Sequence, residues 1–305
     1  MKKTFKKSIR FAQQSTSLFS LILFFAIAVP VNAQEEIKDK KEEKAEKPAR
    51  PAFESAWWFD GQTGVVYNKN TFEYVIQHRF GVMNSGNRDL GGIYGPSNIR
   101  MGLAYTPINK LSVGLGLTKN KMILDLNAKY AILTQTKSNS MPISLTYYGN
   151  MGIETLEKEN YLNASDRYNY FNQLIIMRRF GSKFSAQLAP SYTHYNVTKW
   201  EQQADESWER MENDAIAVSA GMRYKFNSQL ILMLGFDQSI TNHAIHQPKP
   251  SINFGLEIAT SSHAFQIFAT NNSRIQSQDN IMFNQNDFGN GDFLIGFNIT
   301  RLWSF

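Results

Sequence analysis

The sequence contains no cysteine, which excludes disulfides, thiol catalysis, cysteine metal sites and a cysteine-linked lipid anchor. Small exported domains lean on disulfides, so this fold must be held by something else, and a closed ladder of backbone hydrogen bonds would serve. Beyond the first 33 residues no apolar run approaches the length of a membrane-spanning helix, so membrane contact there has to come from strands or a surface element. The sequence also lacks a Gly-Lys-Ser/Thr phosphate loop, a dinucleotide fingerprint and a Gly-x-Ser-x-Gly nucleophile elbow. No cofactor is implied.

The excess of positive charge is local. Lys and Arg number 32 against 26 Asp and Glu, a formal +6. Lys2, Lys3, Lys6, Lys7 and Arg10 all lie in a leading segment that has no acidic residue. From Gln34 onward the chain is close to neutral, which excludes nucleic acid as an expected partner, because such binding draws on phosphate neutralisation. With 305 residues, 42% of them apolar, the chain is long enough for one large domain or two ordinary ones.

The basic start is followed by an apolar stretch from Leu18 to Val29 and then Val31-Asn32-Ala33. That order of charge, apolar core and small residues predicts a signal peptide over residues 1–33, cut between Ala33 and Gln34. Residues 34–55 mix Lys and Glu and carry Pro48 and Pro51; they read as a solvated tether, either a plain spacer or a docking arm for a periplasmic or membrane protein.

From Trp57 the texture changes, and residues 56–305 read as one all-β unit. Leu111, Val113, Leu115 and Leu117 alternate with Ser112, Gly114, Gly116 and Thr118, the period-2 signature of a strand. The same alternation recurs around Met101, Leu126, Val218 and Phe254, with charges confined to the non-apolar face. Twelve strands are expected, near 71–83, 98–106, 110–118, 122–136, 141–152, 167–180, 184–195, 214–226, 229–239, 251–260, 263–271 and 292–305. Alternation alone does not separate a soluble sandwich from a membrane barrel. Loop lengths do. Every second connection is a tight turn, and the others are long and polar, except Lys119-Asn120-Lys121. That pattern predicts an antiparallel up-and-down transmembrane β-barrel in the outer membrane, with the short turns, the tether and the C-terminus on the periplasmic side.

The last strand ends in Arg301, Trp303 and Phe305. An amphipathic final strand with an aromatic terminus resembles the signal read by the outer-membrane assembly machinery, the expected partner in biogenesis alongside outer-membrane lipid. Arg301 interrupts the apolar face and fits if it snorkels. Tyr105, Tyr130, Tyr147, Tyr192, Tyr224, Phe226 and Trp303 sit toward strand ends, as girdles at two membrane interfaces require.

The stretches Pro96-Ser97-Asn98-Ile99-Arg100-Met101-Gly102-Leu103, Leu111-Ser112-Val113-Gly114-Leu115-Gly116 and Asp125-Leu126-Asn127-Ala128-Lys129-Tyr130 resemble the β-barrel family of Bacteroidota catalogued as domain of unknown function 5777. The resemblance covers most of the chain after about residue 60. It implies an outer-membrane barrel and brings no catalytic or ligand-binding residue with it.

Glu73, Arg79, Arg100, Asp125, Lys129, Arg223, Lys225, Asp237 and Glu257 are expected to face inward. They either line a water-filled pore and tune its selectivity, or pair across strands and plug a modest lumen. Lipid hydrolysis would need a serine and an oriented histidine together, yet Ser191 and His194 are three apart and so on opposite strand faces. His243 and His246 could share a metal but lack an evident third ligand. Trp200, Trp208, Glu201, Glu206, Glu209 and Arg210 form either a recognition patch or a lumen cap. The expected function is a channel or transport barrel for small solutes. A non-conducting structural or partner-binding barrel is the alternative, and an enzyme is third.

Overall fold

The computed structural model describes residues 46–305; the expected signal peptide, its Ala33/Gln34 cut and tether residues 34–45 lie outside the described residues. Among the described residues no helix is long and apolar enough to cross a membrane. The architecture is a closed antiparallel barrel of twelve strands. Its wall runs through β3 (Thr71–Val82), β4 (Asn98–Ile108), β5 (Leu111–Thr118), β6 (Ile123–Leu133), β7 (Ser144–Glu154), β8 (Tyr168–Arg179), β9 (Phe184–Tyr195), β12 (Asp214–Lys225), β13 (Leu230–Ser239), β14 (Ser251–Ala259), β15 (His263–Thr270) and β16 (Leu294–Ser304). Two short pairs lie outside the wall: β1 (Trp57–Trp58) with β2 (Gly61–Gln62), and β10 (Trp200–Gln202) with β11 (Trp208–Arg210). The pairing of β16 with β3 closes the ring, leaving no wall strand with an open edge.

The wall follows the expected strands and loop alternation. Lys110, with φ +76°, makes the tight turn between β4 and β5, and the long connections gather on the opposite rim. There Gly92, at φ +85°, accepts a hydrogen bond from the Gly81 amide at 2.8 Å, and any Cβ on Gly92 would run into the Gly81 carbonyl. Only glycine serves at that approach.

The two faces of the wall have opposite chemistry. Met101, Leu103, Leu115, Leu126, Leu188, Ile216, Leu234, Phe254, Leu256 and Ile267 are exposed on the outside. Glu73, Gln77, Arg79, Arg100, Asp125, Lys129, Thr146, Asn150, Gln173, Arg223, Glu257 and Asn298 are buried on the inside. A water-soluble protein would reverse this arrangement, since burying polar groups and wetting apolar ones both cost free energy. An apolar outer band around a polar interior suits a lipid environment. The inside is not uniformly polar: Phe171, Ile175 and Met177 of β8 and Ile231 and Met233 of β13 also point inward and are buried.

The first described segment departs from the expected tether. Residues 46–70 form a hairpin inside the barrel. The segment enters at the short-turn rim, where Pro48 bridges Thr136 and the Ala49 amide donates to the Gln135 carbonyl at 2.8 Å. It turns at Asp60 between β1 and β2 and returns to the same rim, where the Asn70 amide donates to the Thr106 carbonyl at 2.8 Å. Ala52, Phe53 and Ser55, placed in the tether by composition, are buried, so the solvated reading fails for them. The dense Lys/Glu run ends at Lys47, and Phe53, Trp57, Trp58 and Phe59 carry enough apolar surface to hold the segment in place. The barrel unit therefore starts before residue 56, and residues 56–70 belong to its filling and not its wall.

Candidate functional site: a filled lumen

The inward charges do not line open water. Arg79 donates from Nε and Nη2 to Asp60 Oδ1 at 2.8 and 2.5 Å, reaching from β3 to the tip of the hairpin. Arg100 grips Asp125 through two hydrogen bonds of 2.8 Å, joining β4 to β6 across the inner wall. The indole of Trp57 lies 4.9 Å from the Arg100 guanidinium carbon. Arg223 and Lys225 both donate to Glu54 Oε1, at 3.1 and 2.7 Å. Such charges can stay inside only when paired, because desolvation costs several kcal/mol per ion.

The wall also receives the hairpin's backbone. Lys129 Nζ donates to the Ala56 and Val65 carbonyls at 3.2 and 3.3 Å. Gln266 donates to the Trp57 carbonyl at 3.0 Å and to Glu257 at 2.7 Å. Asn298 reaches the Phe59 carbonyl at 2.8 Å, Gln187 the Gln62 carbonyl at 3.2 Å, and Thr146 the Gly64 carbonyl at 2.9 Å. An extended hairpin has few carbonyl partners of its own, and these side chains satisfy them.

Two glycines make room for the aromatic part. Gly221 and Gly235 stand opposite each other on β12 and β13. A Cβ at Gly221 would lie 2.7 Å from Trp58 Nε1, and one at Gly235 would lie 2.9 Å from the Phe59 ring. These wall positions are bare because the plug lies on them.

From the long-loop rim a second segment enters. Residues 271–293 carry the helix α1 (Ser277–Phe283), whose Gln278 and Asp279 are buried. Tyr195 donates to Asp279 at 2.6 Å, Gln278 donates to Asn150 at 2.8 Å, and the preceding Gln276 donates to Asp125 at 3.2 Å. The two fillings meet at Asp60, whose carboxylate accepts from Asn272 at 3.0 Å and whose carbonyl accepts from Ser277 at 3.0 Å.

Glu73, Arg79, Arg100, Asp125, Lys129, Arg223 and Glu257 face inward and are buried, and Lys225 and Asp237 are half-buried. The structure brings most of them into contact with the hairpin and not into a clear passage. Ser191 is buried inside the wall, whereas His194 is bonded to Asp214 at 2.6 Å and to Asn196 at 3.0 Å, so Ser191 and His194 do not pair. His243 accepts from the Glu212 amide at 3.2 Å and His246 pairs with Glu201 at 3.3 Å. Burial holds the His243 ring below its usual pKa, partly offset by Glu212. Among the described residues no group of three or more His, Cys, Asp or Glu could hold a metal. Trp200 and Trp208 stay exposed on the β10–β11 hairpin, and the lumen is capped instead by the α1 segment.

The residues that sequence reasoning missed are those of the plug: Phe53, Trp57, Trp58, Phe59 and Asp60, with Gln276, Gln278 and Asp279 on the other side. The aromatic run just before the first wall strand was the available signal.

The fold agrees with a family match. The model of a membrane bound beta barrel domain, catalogued as domain of unknown function 5777, matches residues 53–303. The chain belongs to this family. Because the match begins at Phe53, it takes in the plug as well as the wall. No curated protein matches the sequence. Among solved structures, the NanC porin is 9% identical with a TM-score of 0.48, covering 77% of this chain and 99% of its own. An outer-membrane channel from Pseudomonas putida F1 is 10% identical with a TM-score of 0.48, covering 78% and 97%. The KdgM porin is 12% identical with a TM-score of 0.41, covering 77% and 99%.

Proposed function

We propose that this family member is an outer-membrane barrel that is closed at rest and conducts small solutes when its N-terminal hairpin leaves the lumen. The observation that carries the reading is topological. Both ends of the hairpin lie at the short-turn rim, at Pro48 and at Asn70, so it can be withdrawn without breaking any strand pairing of the wall. The wall behind it suits water. Ser185 Oγ and Arg223 Nε and Nη2 are buried with no protein partner while the plug is seated, a cost that solvent would remove. Arg79, Arg100, Lys129 and Arg223 would then line the passage together with Glu73, Asp125 and Glu257, a mixed-sign lining that favours polar solutes.

In this reading the short-turn rim and both described ends face the periplasm, Trp303 and Phe305 present the terminal strand to the assembly machinery, and the barrel performs no catalysis. The test is conductance in planar bilayers. A Cβ on Gly64 would lie 2.9 Å from Thr146 Oγ1, within reach of an engineered disulfide between Gly64→Cys and Thr146→Cys. Ion-selective steps in the wild-type and reduced protein that vanish on oxidation are expected. A folded barrel that stays silent reduced and oxidised, and also with Asp60→Ala, would replace the reading with a non-conducting, partner-binding barrel.

A further inference from the structure

Among the described residues, each inward carboxylate of the wall strands has a cation acting on it, with one exception, and so have Asp60 and Glu54 of the hairpin. Asp60 has Arg79, Asp125 has Arg100, and Glu54 has Arg223 and Lys225; Lys129 acts on Glu73 and Arg223 on Glu257. Asp237 of β13 has only neutral partners, the Ser219 hydroxyl and the Asn253 amide at 3.5 Å, and the charge acting on it is that of Asp60, of the same sign.

Asp237 lines an internal cavity of about 20 Å³ between the hairpin tip and strands β8, β9 and β12–β14. Gln173, Gln187 and Asn253 line the same cavity, each less than a tenth exposed, and Gln173 Oε1, Gln187 Oε1 and Asn253 Oδ1 have no donor. The orientations of two of these amides are set from outside. Gln187 spends its Nε2 on the Gln62 carbonyl and Asn253 turns its Nδ2 toward Asp237, which leaves their oxygens as the free ends. Trp58 closes the cavity; its indole N–H also lacks a partner, but a donor takes no part in ligation.

One unneutralised carboxylate and three donor-less amide oxygens around a space for a single small particle call for a positive charge. We infer that this cavity binds one small monovalent cation, with Na⁺ as the probe, held by Asp237, Asn253, Gln187 and Gln173. All four ligands are hard oxygens, which select alkali and alkaline-earth ions over transition metals. A single negative charge balances a single positive one. A divalent ion would find its second carboxylate, Asp60, already bound to Arg79. Because the cavity has the hairpin on one side and the wall on the other, the ion ties the plug to β13 and β14. The site exists in the closed barrel whether or not the hairpin ever leaves.

The test uses the full refolded chain in detergent at constant ionic strength, with N-methylglucamine chloride replaced stepwise by NaCl. Equilibrium dialysis with radiolabelled Na⁺ should show one saturable site per chain, weakened at least tenfold by Asp237→Asn, and the thermal midpoint should rise with Na⁺ in the wild type alone. Asp287→Asn, which removes an exposed loop carboxylate paired with Lys249, should leave binding unchanged. If Asp237→Asn does not refold, Gln187→Leu supplies the comparison, since losing one neutral ligand weakens the site and leaves the carboxylate. Overturning results are no saturable Na⁺ binding to the wild type, equal binding by the wild type and the ligand variants, or a Na⁺-independent midpoint at which Asp237 holds a proton instead.

Discussion

Arg79, on the first wall strand, donates twice to Asp60 at the tip of the N-terminal hairpin, and the same carboxylate accepts from Asn272 of the incoming loop. A single buried ion pair thus joins the wall and both fillings of the lumen. Removing one partner of a buried pair typically costs about 3–5 kcal/mol, because the other is left uncompensated. In Asp60→Ala the low-cost escape for Arg79 is to let water in and the hairpin out. Since the chain has no cysteine, a thiol introduced at Ala56 reports on this directly. Its labelling rate should rise at least tenfold in Asp60→Ala, and an unchanged rate would show that the pair does not hold the plug.

The glycine floor under the aromatic tip gives an independent handle. Gly221→Leu should expel Trp58 and Gly235→Val should expel Phe59, since overpacking costs about 1–3 kcal/mol and the hairpin can yield more easily than the wall. The expected outcome is a barrel that keeps its heat-modifiable migration while residues 46–70 become sensitive to protease. Gly181→Ala, with open space around it, should change neither.

Leu115 and Leu126 are paired on the exposed outer face. If that face meets lipid acyl chains, Leu115→Arg or Leu126→Arg should destabilise the folded barrel by about 2–4 kcal/mol near mid-membrane. The folded fraction after refolding into vesicles measures this. A solvent-facing strand would tolerate either change.

Loop attachment on the long-loop rim should depend on pH through His243. Burial lowers its pKa from the ordinary 6.5, so the released loop binds a proton more readily than the packed one. The contact is therefore intact above about pH 6.5 and weakens as pH falls below it. Protection of the Glu212 amide, which donates to His243 Nδ1, should drop between pH 7.5 and 5.5 after correction for intrinsic exchange, and His243→Gln should abolish that pH dependence.

The sequence by itself determined the wall. Period-2 alternation set which residues of β5, β6 and β14 face out, and the alternation of tight and long connections set the twelve-strand antiparallel order, because both are local properties of a strand and its turn. It also separated Ser191 from His194, since the pleat puts residues three apart on opposite faces. What occupies the interior was decided only by tertiary structure. The inward position of Arg79, Asp125, Arg223 and Lys225 was legible; the partners that reach them from within the lumen were not, because Asp60, Glu54 and Gln276 lie in irregular segments without a period to betray their direction. Composition assigned Phe53 to a tether because its neighbours are charged and proline-rich. The closed barrel reassigns it to the core, since its lumen offers an apolar patch at Ile175, Met177 and Met233 that exists only after all twelve strands have met.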